Sequence, residues 1–169
     1  MKEKNQNKGF TLIELLLYIS IMILVISATS SFMALLLEVR VKNTVIAEVE
    51  QQGDQIVQQI TQVIRNAEGI TAPAVGASAS SLTLDVITSG DDPTVFDLSV
   101  GQVRVTEGVA TSVNLNSSRL VVTNLVFNNN SFLDTPGIVT FSFDADYYNP
   151  SDLREFNYSA TFNGSAALR

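Results

Sequence analysis

The chain has 169 residues, a formal net charge of −7, and neither histidine nor cysteine. Its length suits about one globular domain. The missing residue types remove the commonest general base, the commonest metal ligand, thiolate chemistry and disulfides. Residues 69–169 set four arginines and no lysine against ten carboxylates, so broad nucleic-acid binding is not expected.

The first element is apolar. Lys2, Lys4 and Lys8, opposed only by Glu3, precede a run of 23 residues without charge, Leu15 to Leu37. As a helix it would span about 35 Å, enough to cross a bilayer. A secretory signal core is shorter, about 7 to 15 residues, and ends at a small-residue cleavage site. Here the small patch from Ser27 to Ser31 is followed by FMALLL, which favours a spanning helix over a secretory signal. The basic N-terminus predicts an inside orientation, with everything after Leu37 on the outer side. Glu14 needs a reason, because an acid inside a membrane helix is costly. On the residues alone two accounts stand: it marks the boundary and reaches the headgroups, or it has a functional partner.

The next element is amphipathic. Val45, Ile46, Val49, Ile56, Val57, Ile60, Val63 and Ile64 recur at steps of three and four, opposite Gln51, Gln52, Gln55, Gln58, Gln59 and Gln62. Gly69 and Pro73 supply a stop, so the pattern predicts one helix over residues 10–68. TAPAVGASASS, residues 71–81, reads as a flexible, turn-forming linker. Beyond it LTLDVIT, TVFDLSV, GQVRVTE, SRLVVTNLVF, GIVTFSFDADYY and EFNYSATF alternate with period two, separated by turn-rich segments. Such connections favour antiparallel pairing. The expected fold is α+β, with the 45–64 stripe covering one face of a small antiparallel sheet.

KGFTLIELLLYISIMILVI resembles the N-terminus of type IV prepilins and pseudopilins: a short basic leader ending in glycine, then phenylalanine, with a glutamate at the fifth mature position. Those residues are Gly9, Phe10 and Glu14. The resemblance implies a pilin-like fold divided into a cleaved leader (1–9), a transmembrane and filament-core half-helix (10–37), an amphipathic half-helix (38–68) and a β-rich ectodomain (69–169). It implies cleavage by prepilin peptidase between Gly9 and Phe10, N-methylation of Phe10, and pairing of Glu14 with a neighbouring subunit's amine. Implied partners are the peptidase, other pilin or pseudopilin subunits, membrane lipid before assembly, and assembly-platform proteins. The course from NLVFNN to EFNYSATFNGSAALR looks like minor pilins and minor pseudopilins, of the type resembling secretion pseudopilin J. Departures from the family pattern are the lack of a proline between Phe10 and Glu68, of a cysteine-closed loop and of a recognisable calcium loop; Ser27, Ser30 and Ser31 could loosen the helix instead.

An enzymatic reading finds few residues. Asp144 and Asp146 alternate with Phe143 and Ala145 and so share the wet side of a strand. Asp91, Asp92 and Asp97 in GDDPTVFD read as turn formers rather than metal ligands. NNS, NYS and NGS match a glycosylation sequon. No cofactor and no catalytic activity are expected. Two functions remain: a structural filament subunit of a pilus or of a secretion or competence pseudopilus, or a membrane-anchored binding module that does not polymerise.

Overall fold

The computed structural model describes residues 9–132 and 137–169. Lys2, Lys4 and Lys8, and part of the expected NNNSFLDTPG turn, lie outside the described residues. Among the described residues one long helix, α1 (Leu12–Asn66), precedes nine strands, all paired antiparallel, in an α+β, pilin-like architecture. The chain divides at Arg40/Val41 into two compact units.

In the first unit, α1 is apolar and exposed on every side. Thr11 caps it, its Oγ1 accepting the Glu14 backbone N–H at 3.3 Å. Thr11 and Glu14 thus occupy the N-cap and N3 positions of a T-x-x-E pattern, where a threonine satisfies one of the orphan N–H groups of the first turn. Further along, hydroxyls turn back onto the helix: Ser20 donates to Leu16 C=O at 2.8 Å, Thr29 to Val25 C=O at 2.6 Å, and Ser31 to Ser27 C=O at 3.0 Å. These bonds hide the polar atoms and leave an apolar exterior.

In the second unit, Val45, Val49, Gly53, Ile56, Ile60 and Ile64 of α1 are buried at spacings of three and four. Two sheets complete the unit, where a single small sheet was expected. One has the order β1 (Ala67–Ala72), β3 (Leu82–Val86), β4 (Thr94–Ser99), β5 (Gln102–Glu107), β6 (Val113–Asn114). The other has the order β2 (Ser78–Ala79), β7 (Leu120–Asn129), β8 (Ile138–Tyr147), β9 (Ser159–Ala167). Inward residues of both sheets, including Leu84, Phe96, Phe127, Phe141 and Phe143, share one core with Ile56, Ile60 and Ile64. Burying each isoleucine contributes up to about 3 kcal/mol, so this stripe outweighs the polar ties around it.

Three details depart from the sequence reading. The helix ends at Asn66 rather than Glu68, because buried Ala67 opens β1 at once, opposite Val86. Residues 71–81 are not a free linker: β2 pairs with β7, and the buried Asn129 amide donates to Pro73 C=O at 2.8 Å. In β7 the inward parity switches between Val122 and Leu125 through a bulge at Asn124, which takes φ +53°. Asparagine tolerates that left-handed backbone, and its side chain donates to Asp144 at 2.8 Å.

Candidate functional site

Gly9 and Phe10 precede the helix and are exposed, Phe10 by 71%. A Cβ added at Gly9 would meet no described atom, and its φ lies outside the left-handed region. The described part of the fold therefore does not require glycine at this position. The Phe10 ring lies 5.7 Å from that of Tyr18, between centroids.

Glu14 follows one turn later, exposed on the first turn of α1. An acid there also complements the positive end of the helix dipole, a role that needs no second chain. The sequence reading missed the Thr11 cap, which the local T-x-x-E pattern marks. Gly9, Phe10 and Glu14 lie within six residues at the start of a helix whose large apolar side chains, from Leu12 through Val39, stay exposed. The helix is long and apolar enough to cross a membrane. Such a continuous apolar exterior is stable in lipid or against other helices.

The carboxylates of the second unit are arranged differently. Asp144 accepts Asn124 Nδ2 and Thr161 Oγ1 at 2.8 and 2.6 Å, and these two bonds, the asparagine's first, lower its pKa. It lies on the face opposite buried Phe143 and Ala145, as expected, and Asp146 is on the same side. Asp97 is taken by a cross-strand bidentate pair, Arg104 Nε and Nη2 donating at 2.8 and 2.7 Å. Asp91 and Asp92 sit in an exposed turn closed by Asp91 N–H to Thr88 C=O at 2.8 Å. Among the described residues no three acids converge as metal ligands. Of the three sequons, Asn129 is buried and held by Pro73, whereas Asn157 and Asn163 are exposed.

Polar ties also fix the lower part of α1. The Tyr158 hydroxyl donates to Glu50 Oε1, Ser117 N–H to Gln52 Oε1 at 2.9 Å, and Arg119 pairs with Glu48 at 3.5 Å. Gln52, from the glutamine face opposite the apolar stripe, thus reaches the β6–β7 connection.

Residues 4–30 match one protein family, described as the prokaryotic N-terminal methylation motif, the signal of type IV pilins. No curated protein and no solved structure matches the chain. The matched stretch contains Gly9, Phe10 and Glu14 and ends inside the exposed apolar half of α1.

Proposed function

We propose that this chain is a structural subunit of a type IV pilus or of a related secretion or competence pseudopilus. The carrying observation is the junction of the methylation motif at residues 4–30 with a helix whose apolar half is exposed on all sides. In this reading residues 1–9 are a leader removed by prepilin peptidase on the cytoplasmic side, and the new amine of Phe10 is methylated. Residues 10–37 rest in lipid as a single pass and then pack in the filament core. Residues 38–68 and the β-rich remainder, 69–169, are extracytoplasmic.

Cleavage converts the Phe10 nitrogen from an amide to a cation, and methylation keeps that charge. Glu14 lies four residues on. When the helix leaves lipid, a neighbouring subunit's amine offsets the desolvation of the Glu14 carboxylate, and only the correct stagger brings the two together. The chain joins other pilin or pseudopilin subunits at the assembly platform. The resemblance of its C-terminal strands to minor subunits supports a minor role, at or near the tip.

Peptide mass spectrometry of the N-terminus tests the reading, comparing sheared filaments with total membranes. A chain starting at methylated Phe10 in filaments is the expected result. An intact Met1 terminus confined to membranes, in cells with active prepilin peptidase, would leave the anchored, non-polymerising module.

A further inference from the structure

The two sheets expose four edges, and three are blunted in the ways that prevent unwanted strand pairing. β2 and β6 are two residues long, and β1 carries two register shifts. The fourth, β9, pairs with β8 over nine consecutive residues without a bulge, and its sequence SATFNGSAA has no charge and no proline. Among the described residues no strand pairs with its other side.

Hydrogen-bond parity identifies the open groups. Tyr147 N–H donates to Tyr158 C=O at 3.0 Å and Leu168 N–H to Gly137 C=O at 2.8 Å, so even-numbered β9 residues face β8. Ser159, Thr161, Asn163, Ser165 and Ala167 turn their N–H and C=O groups to the open edge.

One flank of α1 runs beside this strand in the same direction. Tyr158 bonds to Glu50, the Phe162 ring covers Gly53 so closely that a Cβ there would overlap it, and Arg169 shares a cavity of about 350 Å³ with residues 58–66. That cavity is lined by Gln58, Thr61, Gln62, Arg65, Asn66 and Arg169. The Glu50 carboxylate thus lies near the start of β9, and the Arg65 and Arg169 guanidinium groups line the cavity at its end. Among the described residues neither Arg65 nor Arg169 has a carboxylate within 4.0 Å.

We infer that the open edge of β9 takes an extended segment of a partner protein as an added strand, with a carboxylate of that segment seated between Arg65 and Arg169. Main-chain bonds to the odd-numbered residues supply the attachment, and the two arginines set its direction. The two arginines select this occupant over a second copy paired edge to edge, since the β9 strand of a copy, SATFNGSAA, brings no side-chain carboxylate to them.

Hydrogen exchange on the full chain in detergent micelles tests this, with a synthetic Thr/Val peptide of about six residues ending in aspartate as the probe. The expected result is new protection at residues 159, 161, 163, 165 and 167, with binding on the order of tenfold weaker for a twin ending in lysine. Asn163→Pro removes an outward N–H while sparing the β8 ladder, and abolishes the protection. The double variant Arg65→Gln, Arg169→Gln erases the preference for aspartate over lysine. This second variant decides the matter if the proline disturbs the ladder, because both arginines are exposed. No protection at saturating peptide, or a preference that survives loss of both arginines, overturns the inference. So does protection that appears without peptide and grows with protein concentration, which would give the edge to a second copy.

Discussion

The two halves of α1 share a backbone and differ in what finishes them. From Val45 to Ile64 the helix has one buried stripe, and its own sheets cover it. From Leu12 to Val39 the large apolar residues are exposed around the whole circumference. Amphipathic periodicity marks a helix that completes itself within the chain, and apolarity all round marks one completed by something else. The proposed function assigns that missing cover to lipid first and to neighbouring helices later.

The largest expected effect falls on the unfinished half. Glu14→Gln keeps a side chain able to occupy the N3 position of the cap but removes the charge. It is expected to leave cleavage after Gly9 intact and to abolish incorporation into sheared filaments. Normal incorporation of the variant would remove the amine pairing and leave Glu14 as a helix-start residue. Gly9→Leu serves as the companion: it is expected to block processing and hold the chain in the membrane at its full mass, although the fold itself has space for a side chain there.

Next is the finished half. Ile60→Ala empties a fully buried position and should cost about 2 to 5 kcal/mol in denaturant unfolding of the second unit. Ile23→Ala, the same change on the exposed half, should leave that transition within about 0.5 kcal/mol. Equal losses at the two positions would erase the distinction between the halves.

A smaller effect probes the polar ties of the finished half. Tyr158→Phe removes the bond to Glu50, at a cost of about 1 kcal/mol, reduced because the phenol is only half-buried. The bond to Glu50, followed by desolvation, raises the Tyr158 pKa. The native state therefore holds its proton where the unfolded chain, at about 10, releases it. The stabilisation is full below about pH 10 and is lost as pH rises through the folded value. Wild type and Tyr158→Phe should then converge in urea midpoint at the alkaline end of a pH series, and a gap that stays constant would deny the linkage.

The same contrast explains what the sequence disclosed. Periodicity is local, so the 45–64 stripe and the strands around Leu82, Phe96, Val103, Val122 and Phe143 were legible. Pairing between distant segments is not. Nothing local in TAPAVGASASS shows that Asn129 will fasten Pro73, or that the strands will divide into two sheets. The switch of parity at Asn124 hides a bulge inside one apparently continuous strand. At the candidate site Gly9, Phe10 and Glu14 were legible because their spacing is short and fixed. The T-x-x-E cap at Thr11 is equally local although it was not read, whereas the cavity shared by Arg65 and Arg169 depends on residues more than a hundred positions apart.

The smallest effect concerns a hydroxyl on the exposed half. Thr29 is polar in an apolar surrounding, and such a group buried without a partner would cost several kcal/mol. Its hydroxyl already donates to Val25 C=O at 2.6 Å, and Ile26 C=O lies at 3.1 Å, so neither lipid nor a neighbouring helix need supply a partner. Thr29→Ala removes the donor together with its need, and back-bonded threonine slightly disfavours the helix. Helix content by circular dichroism should rise or hold, and filament incorporation should not change. A loss of filaments in this variant would show that Thr29 bonds outward in the assembly. The apolar half would then be read in part by hydrogen bonds between subunits, and the contrast between the halves would lie in the partner alone.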